Sequence, residues 1–397
     1  MNFGFVVRSS KQPGGDLVAV NTAAAGIKNL GHRVFFGHSV QDVYKSDYIF
    51  LTNSCLDLRP LLPEIRANGK MRRFGIFTFQ EDFNAYFHHM MGFCSYVTSA
   101  FNKGKLKNDV SDVKTSIEYL KDDPDVALDW AGGQDFKFSP TIIVNRKLTE
   151  GAESLFVHSE KEKNYFNRRV PAAKPTVARW APGIIDEEGF ESDDSFLKLT
   201  GLTKGEYVLS VGRLEGRKNQ LASLLALYDS DHTMVLTTQS VYSAEFVELI
   251  MDISAKRKGD TIIVSQDLPS KKEGNLTVIG LGGDLLPDST LGNAFENAGL
   301  HLHPAYYEMP GLTYLEAAHY NIPQVASSWT SIDEYFALGG SPTLDGRVEY
   351  VEPNNIRQIE EAVNKQFGKT FEPLPPHPAL TRTKDDLARD ILDSIIR

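Results

Sequence analysis

Strand-like and helix-like segments alternate along this chain, stop, and then begin alternating again. In the first run, Phe3–Val7, Arg33–Phe36, Tyr48–Thr52, Phe74–Phe79 and Ser154–His158 are short, apolar and rich in β-prone residues. Between them, Asp16–Leu30 carries a helix pattern ended by Gly31, and Leu56–Ala67 separates the third and fourth strands. Such alternation builds parallel sheets from βαβ units. Residues 182–195, PGIIDEEGFESDDS, are acidic and aperiodic and carry Pro and Gly, which marks a boundary. The pattern restarts with strand Tyr207–Val211, helix Asn219–Tyr228, strand Thr233–Thr237 and helix Glu245–Arg257. Strands Thr261–Val264, Leu276–Ile279, Gly299–Leu302 and Gln324–Ser327 follow, then helix Asn355–Phe367. The expected organisation is two α/β domains, 1–185 and 186–375, with a C-terminal helix in 376–397. Residues 101–140 are polar and expected to form helices and loops. Thr383 is the expected N-cap of the final helix, with Asp386 three residues on. Its stripe of Leu387, Ile391 and Ile395 either pads the second domain or crosses back to the first.

Composition narrows the class. The 397 residues are 41% hydrophobic and 24% charged, enough for about two domains. No apolar run approaches a membrane span, and MNFGFVVRSS has the pattern of a first strand, not a leader. With only Cys55 and Cys94, a reducing cytoplasm is the expected setting. The net charge of −10 is uneven: residues 1–185 carry 24 Lys and Arg against 19 Asp and Glu, and residues 186–397 carry 18 against 33. Basic clusters at Arg66, Lys70, Arg72 and Arg73, and at Lys103, Lys105 and Lys107, are solvated loops or a surface for an acidic acceptor or anionic membrane. Peripheral contact with the inner membrane face is therefore carried as a second expectation, and no nucleic-acid partner is expected.

Two motifs carry chemistry. In HPAYYEMPGLTYLEAAHYNIPQVAS (303–327), Glu308 and Glu316 stand eight positions apart around Gly311-Leu312. One carboxylate falls in a loop after a strand and the other on the second turn of the next helix. Between them a helix N-terminus offers free N–H groups to a phosphate. A phosphate site flanked by two hydroxyl-seeking carboxylates suits a nucleotide sugar. The second motif, YVLSVGRLEGRKNQ (207–220), places Arg213 and Lys218 at a strand's carboxyl edge, where α/β sheets bind ligands. Two cations there can neutralise a diphosphate. Pro13-Gly14-Gly15-Asp16 links the first strand and helix, and such glycines admit a ligand close to the backbone. No G-x-G-x-x-G is present, and neither a carboxylate pair nor the histidines show metal spacing. Asp122-Asp123-Pro124-Asp125 is expected to be a solvated turn.

The pairing of V-G-R-x-x-x-x-K-N with H-P-x-x-x-E-x-x-G-L-x-x-L-E-A resembles the retaining GT-B glycosyltransferases, family 4 in particular. The resemblance is specific over about residues 200–370 and loose over the first domain. It implies two Rossmann-like domains facing a cleft, with the nucleotide sugar on the second and the acceptor on the first. By that resemblance Glu308 contacts the transferred sugar and Glu316 the ribose. Arg213 and Lys218 bind the diphosphate, helped by the N–H groups of Gly311, Leu312 and Thr313. Gly14 and Gly15 lie near diphosphate and acceptor, and backbone groups near Gly280 and Leu281 lie against the base. Ser327–Phe336 looks like a segment near the nucleotide, with Glu334 either there or capping a helix. One departure stands out: where many relatives carry His-Asp after the fourth strand, this chain has Gln80-Glu81-Asp82. Gln80 bonds a hydroxyl but does not exchange protons near neutral pH. His88 and His89 are the alternatives for facing the sugar. The implied activity is hexosyl transfer from a nucleoside diphosphate sugar to a glycan, lipid-linked or small-molecule hydroxyl, with retention and no metal or other cofactor. A GT-B phosphorylase or hydrolase of sugar phosphates, and a catalytically silent GT-B scaffold that binds a partner, are the alternatives.

Overall fold

The computed structural model describes the chain apart from residues 9–14, 53–57, 67–71, 80–82, 103–109, 132–144, 181–193, 242, 310, 339–343, 345, 374 and 397. Two sheets form. The first contains β1 (Asn2–Val6), β2 (Arg33–Gly37), β3 (Tyr48–Thr52), β4 (Phe74–Phe77), β5 (Ser154–Val157) and β6 (Pro175–Val177). Its order is β2-β1-β3-β4-β5-β6, with every pairing parallel. The second contains β7 (Tyr207–Val211), β8 (Thr233–Thr238), β9 (Thr261–Ser265), β10 (Lys271–Glu273), β11 (Leu276–Gly280), β12 (Leu300–His303), β13 (Gln324–Ser327) and β14 (Val348–Val351). Its order is β10-β11-β9-β8-β7-β12-β13-β14, and only β10–β11 is antiparallel. Central strands β3, β7 and β9 are buried along their whole length. Helices cover both faces of such strands, which is why their sequences are unbroken apolar runs.

The order of the second sheet fixes where a ligand can sit. From β7 the chain runs outward through β8 and β9, then returns to β12 on the other side of β7. The crevice between the carboxyl ends of β7 and β12 is thus a topological switch point, the usual ligand position in an open α/β sheet. The loops leaving those two strands are 212–219 and 304–311.

Three helices from the first half of the chain pack on the second sheet. Phe93 and Val97 of the Phe83–Asn102 helix, Val113, Ile117 and Leu120 of the Val110–Asp122 helix, and Ala127 share one core with Val208, Leu214, Leu221, Ile356 and Ile359. Burying each of the larger aliphatic or aromatic side chains stabilises by about 1.5–3 kcal/mol, so these helices are held firmly. The acidic turn at 122–125 is part of this docking and not merely solvated. Asp122 pairs with Arg357 at 2.6 Å, and the Pro124 carbonyl accepts from Asn354 at 3.3 Å.

The terminal helix Lys384–Ile395 crosses back to the first sheet. Thr383 and Asp386 form a reciprocal capping box at its start, as their spacing predicts. Leu387, Ala388, Ile391, Leu392 and Ile395 pack with Phe3, Phe5, Val20 and Ile27. The crossing is tight: a Cβ on Gly26 would lie 2.1 Å from the Lys384 carbonyl oxygen, so only glycine fits. Arg73, from the first basic cluster, forks onto Glu153 at 2.9–3.1 Å and donates to the Ile395 carbonyl. Lys70 and the Lys103–Lys107 cluster lie outside the described residues. Among the described residues no helix is long and apolar enough to cross a membrane.

The two sheets meet through their carboxyl ends. The Tyr307 hydroxyl donates to the Phe79 carbonyl, and the Tyr335 hydroxyl donates to His158 and accepts from the Trp180 N–H. Glu334 accepts from the N–H groups of Glu160 and Lys161 at 2.6 and 2.8 Å, so it caps the Glu160–Arg169 helix across the seam. Glu334→Ala is expected to lower stability by about 1–2 kcal/mol in urea unfolding. Identical urea midpoints for the two chains would show that this cap does not form in solution.

Candidate functional site

At the β7–β12 crevice the two motifs come together. Lys218 ends a single 3-10 turn, Gly216–Lys218, and Asn219 follows with φ 59°. Asn tolerates this left-handed conformation. Its amide donates to the carbonyls of Pro304 and Pro353, which binds the β7 loop to the segments after β12 and β14. The Lys218 ammonium thereby meets the Glu308 carboxylate, 90 residues away, in a direct hydrogen bond. The same oxygen, Oε1, also accepts from His303 Nε2 at 2.9 Å. An ionised carboxylate only accepts, so this ring nitrogen carries the proton. The second oxygen, Oε2, lies 3.9 Å from Arg217 Nη1 and accepts no hydrogen bond among the described residues.

The electrostatics follow from burial. Glu308 is 6% exposed. Burial alone would push its carboxyl up, but Lys218, His303 and Arg217 outweigh it and hold the group well below the usual range. Burial draws the Lys218 ammonium below the ordinary lysine value, with Glu308 pulling the other way. Arg217 is the cation the motif reading left out. It donates to Glu215 at 2.9 Å and to the Tyr307 carbonyl at 3.2 Å, and lies over the Tyr307 ring. Arg213, at the rim, donates to the same Glu215 oxygen at 3.2 Å. Among the described residues, Lys218, Arg217 and Arg213 outnumber the ionised carboxylates Glu308 and Glu215 by one.

The Leu312–His319 helix completes the crevice. Gly311 stands at its N-cap with φ 92°, and a Cβ there would meet the Tyr314 ring at 2.6 Å. No side chain caps this end. The first N–H groups of the helix, including those of Leu312 and Thr313, therefore have no intrahelical acceptor. Among the described residues, the Thr313 hydroxyl is buried without a partner as well. Glu316, one turn further, is 5% exposed, and no hydrogen bond reaches its carboxylate among the described residues. Burial, with Asp288 adding and Lys218 opposing, pushes its carboxyl up to about 8.

The remaining candidates divide. Gly15 opens the first helix, and Gly14 and Gln80 lie outside the described residues. Phe79, just before Gln80, is bonded to Tyr307, the neighbour of Glu308. His88 is exposed, and His89 packs edge-on against Trp329 at 5.0 Å, in the docked Phe83–Asn102 helix. The N–H of Gly280 is taken by Ser270 Oγ at 2.9 Å and that of Leu281 by the Ser265 carbonyl at 2.8 Å. Neither N–H is left to read a base. His303 and Arg217 joined the site only in three dimensions, although the H-P pair and the run Arg213-Leu-Glu-Gly-Arg217-Lys218 contained both. Among the described residues no group of three or more His, Cys, Asp or Glu is placed to hold a metal ion.

No family model matches the sequence, and no curated protein matches it. Solved structures match across nearly the whole chain. Sucrose-phosphate synthase from Thermosynechococcus elongatus aligns over 99% of this chain and 94% of that one, with TM-score 0.57 and 12% identity. WaaG, a glycosyltransferase involved in lipopolysaccharide biosynthesis, aligns over 98% and 93%, with TM-score 0.52 and 15% identity. The structure "Trehalose-6-phosphate from E. coli bound with UDP-2-fluoro glucose" aligns over 100% and 95%, with TM-score 0.51 and 11% identity. At these identities the likeness is one of fold, and the chain has the GT-B architecture.

Proposed function

We propose that this GT-B chain transfers a sugar, with retention, from a nucleoside diphosphate sugar to a hydroxyl of a glycan, lipid-linked or small-molecule acceptor. The meeting of Lys218 and Glu308 at the switch point, beside an uncapped helix N-terminus, carries the reading. As the bond between sugar and diphosphate breaks, charge grows on the leaving oxygens. Lys218, Arg213 and the N–H groups at Gly311, Leu312 and Thr313 stabilise it as preorganised electrostatics. Those groups meet the leaving charge without a metal ion. Glu308, fixed by Lys218 and His303, offers Oε2 to a sugar hydroxyl. Glu316 takes the ribose hydroxyls. The leaving diphosphate accepts the acceptor's proton on the same face, so Gln80 is not required to act as a base. The UDP-2-fluoro glucose in the E. coli structure supports the donor class.

A panel of nucleoside diphosphates tests the reading by thermal shift, followed by donor hydrolysis in excess chelator. One nucleotide should raise the melting temperature saturably, and its sugar conjugate should be cleaved slowly to a sugar of unchanged anomeric configuration by NMR. Absence of both nucleotide binding and release from every donor would sink the proposal.

A further inference from the structure

A second charged cavity lies away from the β7–β12 crevice. It has a volume of about 400 Å³ and is lined by Arg179, Thr381, Arg382, Asp386, Arg389 and Asp390, with Leu338 and Pro378 as an apolar wall. Three parts of the fold meet there. Arg179 follows β6 of the first sheet, Leu338 follows the Ile332–Phe336 helix of the second, and the rest belongs to the segment returning to the first sheet.

Its charges are unevenly matched. Asp390 is taken by Arg382 at 2.6 Å, and Asp386 by Arg389 at 2.8 Å and by the N–H and hydroxyl of Thr383. Arg179 is left over: it has no acidic partner among the described residues, and its Nε is buried without an acceptor. Among the described residues the Nε of Arg382 is buried and unpartnered too. A guanidinium N–H shielded from water and unpaired is costly, and an anion supplies what it lacks. Among the described residues, three guanidinium groups against two committed carboxylates leave a local positive charge in a chain of net charge −10.

We propose that this cavity binds a small phosphoryl anion, free phosphate or a compact phosphate monoester. A planar guanidinium fork matches phosphate oxygens, and the volume falls at the small end of ligand pockets. A ligand there ties β6 to the second sheet and to the terminal helix, so its binding stabilises the packing of the two sheets.

The test titrates inorganic phosphate into the full chain by calorimetry and thermal shift, with chloride holding ionic strength constant. Saturable binding is expected. Arg179→Gln, and Arg389→Gln at a side chain that is 56% exposed, should each weaken it roughly tenfold or more, the loss of about one charge-assisted contact. Arg213→Gln, in the other crevice, should leave unchanged the component of binding that Arg179→Gln weakens. A hexose monophosphate that binds more tightly than phosphate assigns the cavity to an ester, and equal affinity assigns it to free phosphate. No saturable binding overturns the proposal. So does binding that survives Arg179→Gln and Arg389→Gln but is lost in Arg213→Gln, which places the anion between β7 and β12.

Discussion

Glu308→Ala is expected to lose about 3–5 kcal/mol of folding stability and to release no nucleoside diphosphate from any donor. The stability loss comes from what remains. Lys218 and Arg217 stay half-buried with their shared anion gone, and His303 keeps an N–H with no acceptor. Glu308→Gln separates the two effects. It keeps the shape and one carbonyl acceptor, so it should unfold closer to the parent while losing about 10²–10³ in turnover. Acid provides an independent check. Because its folded-state carboxyl is held below the ordinary range, Glu308 contributes stability above its unfolded value, near pH 4.3. That contribution is lost as pH falls through the folded value. The parent should therefore lose more stability between about pH 5 and pH 3 than Glu308→Gln does. Urea midpoints across that range measure it, and parallel curves would show that the buried pair does not form in solution.

Glu316 has the opposite sign. Its carboxyl is raised to about 8 in the folded chain, because burial and Asp288 disfavour the anion. In the unfolded chain it titrates near pH 4.3. Folding is unaffected by this group below that value and loses stability as pH rises towards 8. Glu316→Gln removes the ionisable group, so the variant should match the parent near pH 4 and exceed it by about 3–5 kcal/mol near pH 9. Function should move the other way. On the proposed role of Glu316, ribose hydroxyls donate to the carboxylate, so donor binding near neutral pH should release a proton from Glu316. Affinity in the parent should then rise with pH up to about 8, whereas Glu316→Gln should bind more weakly and without that slope. Calorimetry in two buffers of different ionisation enthalpy counts the proton. Parallel stability profiles for the two chains, or binding without proton release, would remove Glu316 from the nucleotide.

Much of the site was legible because its residues follow strand ends. The apolar runs at Tyr207–Val211 and Leu300–His303 mark where β7 and β12 stop, and the loops after them necessarily face the carboxyl edge. That logic located Lys218 and Glu308, and the flanking glycine located the helix N-terminus. It did not show that the two side chains bond directly, because that contact depends on β12 lying beside β7, 90 residues later in the chain. Arg217 was hidden by its neighbours: three cations stand within six positions, and which one Glu215 and Tyr307 hold is a matter of packing.

Local order, then, came largely from the sequence itself: most strands and helices, though not β6, β10 or β14, the Thr383–Asp386 cap, the restart of the pattern after residue 195, and the side chains presented at the strand ends. These depend on periodicity and on bonds between residues a few positions apart. Tertiary structure alone decided the partners. An amphipathic face specifies that a helix is buried and not against what, so the Phe83–Asn102 helix docks on the second sheet and the terminal helix on the first. Burial likewise sets charge: Glu308 and Glu316 are the same residue eight positions apart. One is held as an anion by three cationic or donor neighbours, and the other is raised towards neutrality by their scarcity.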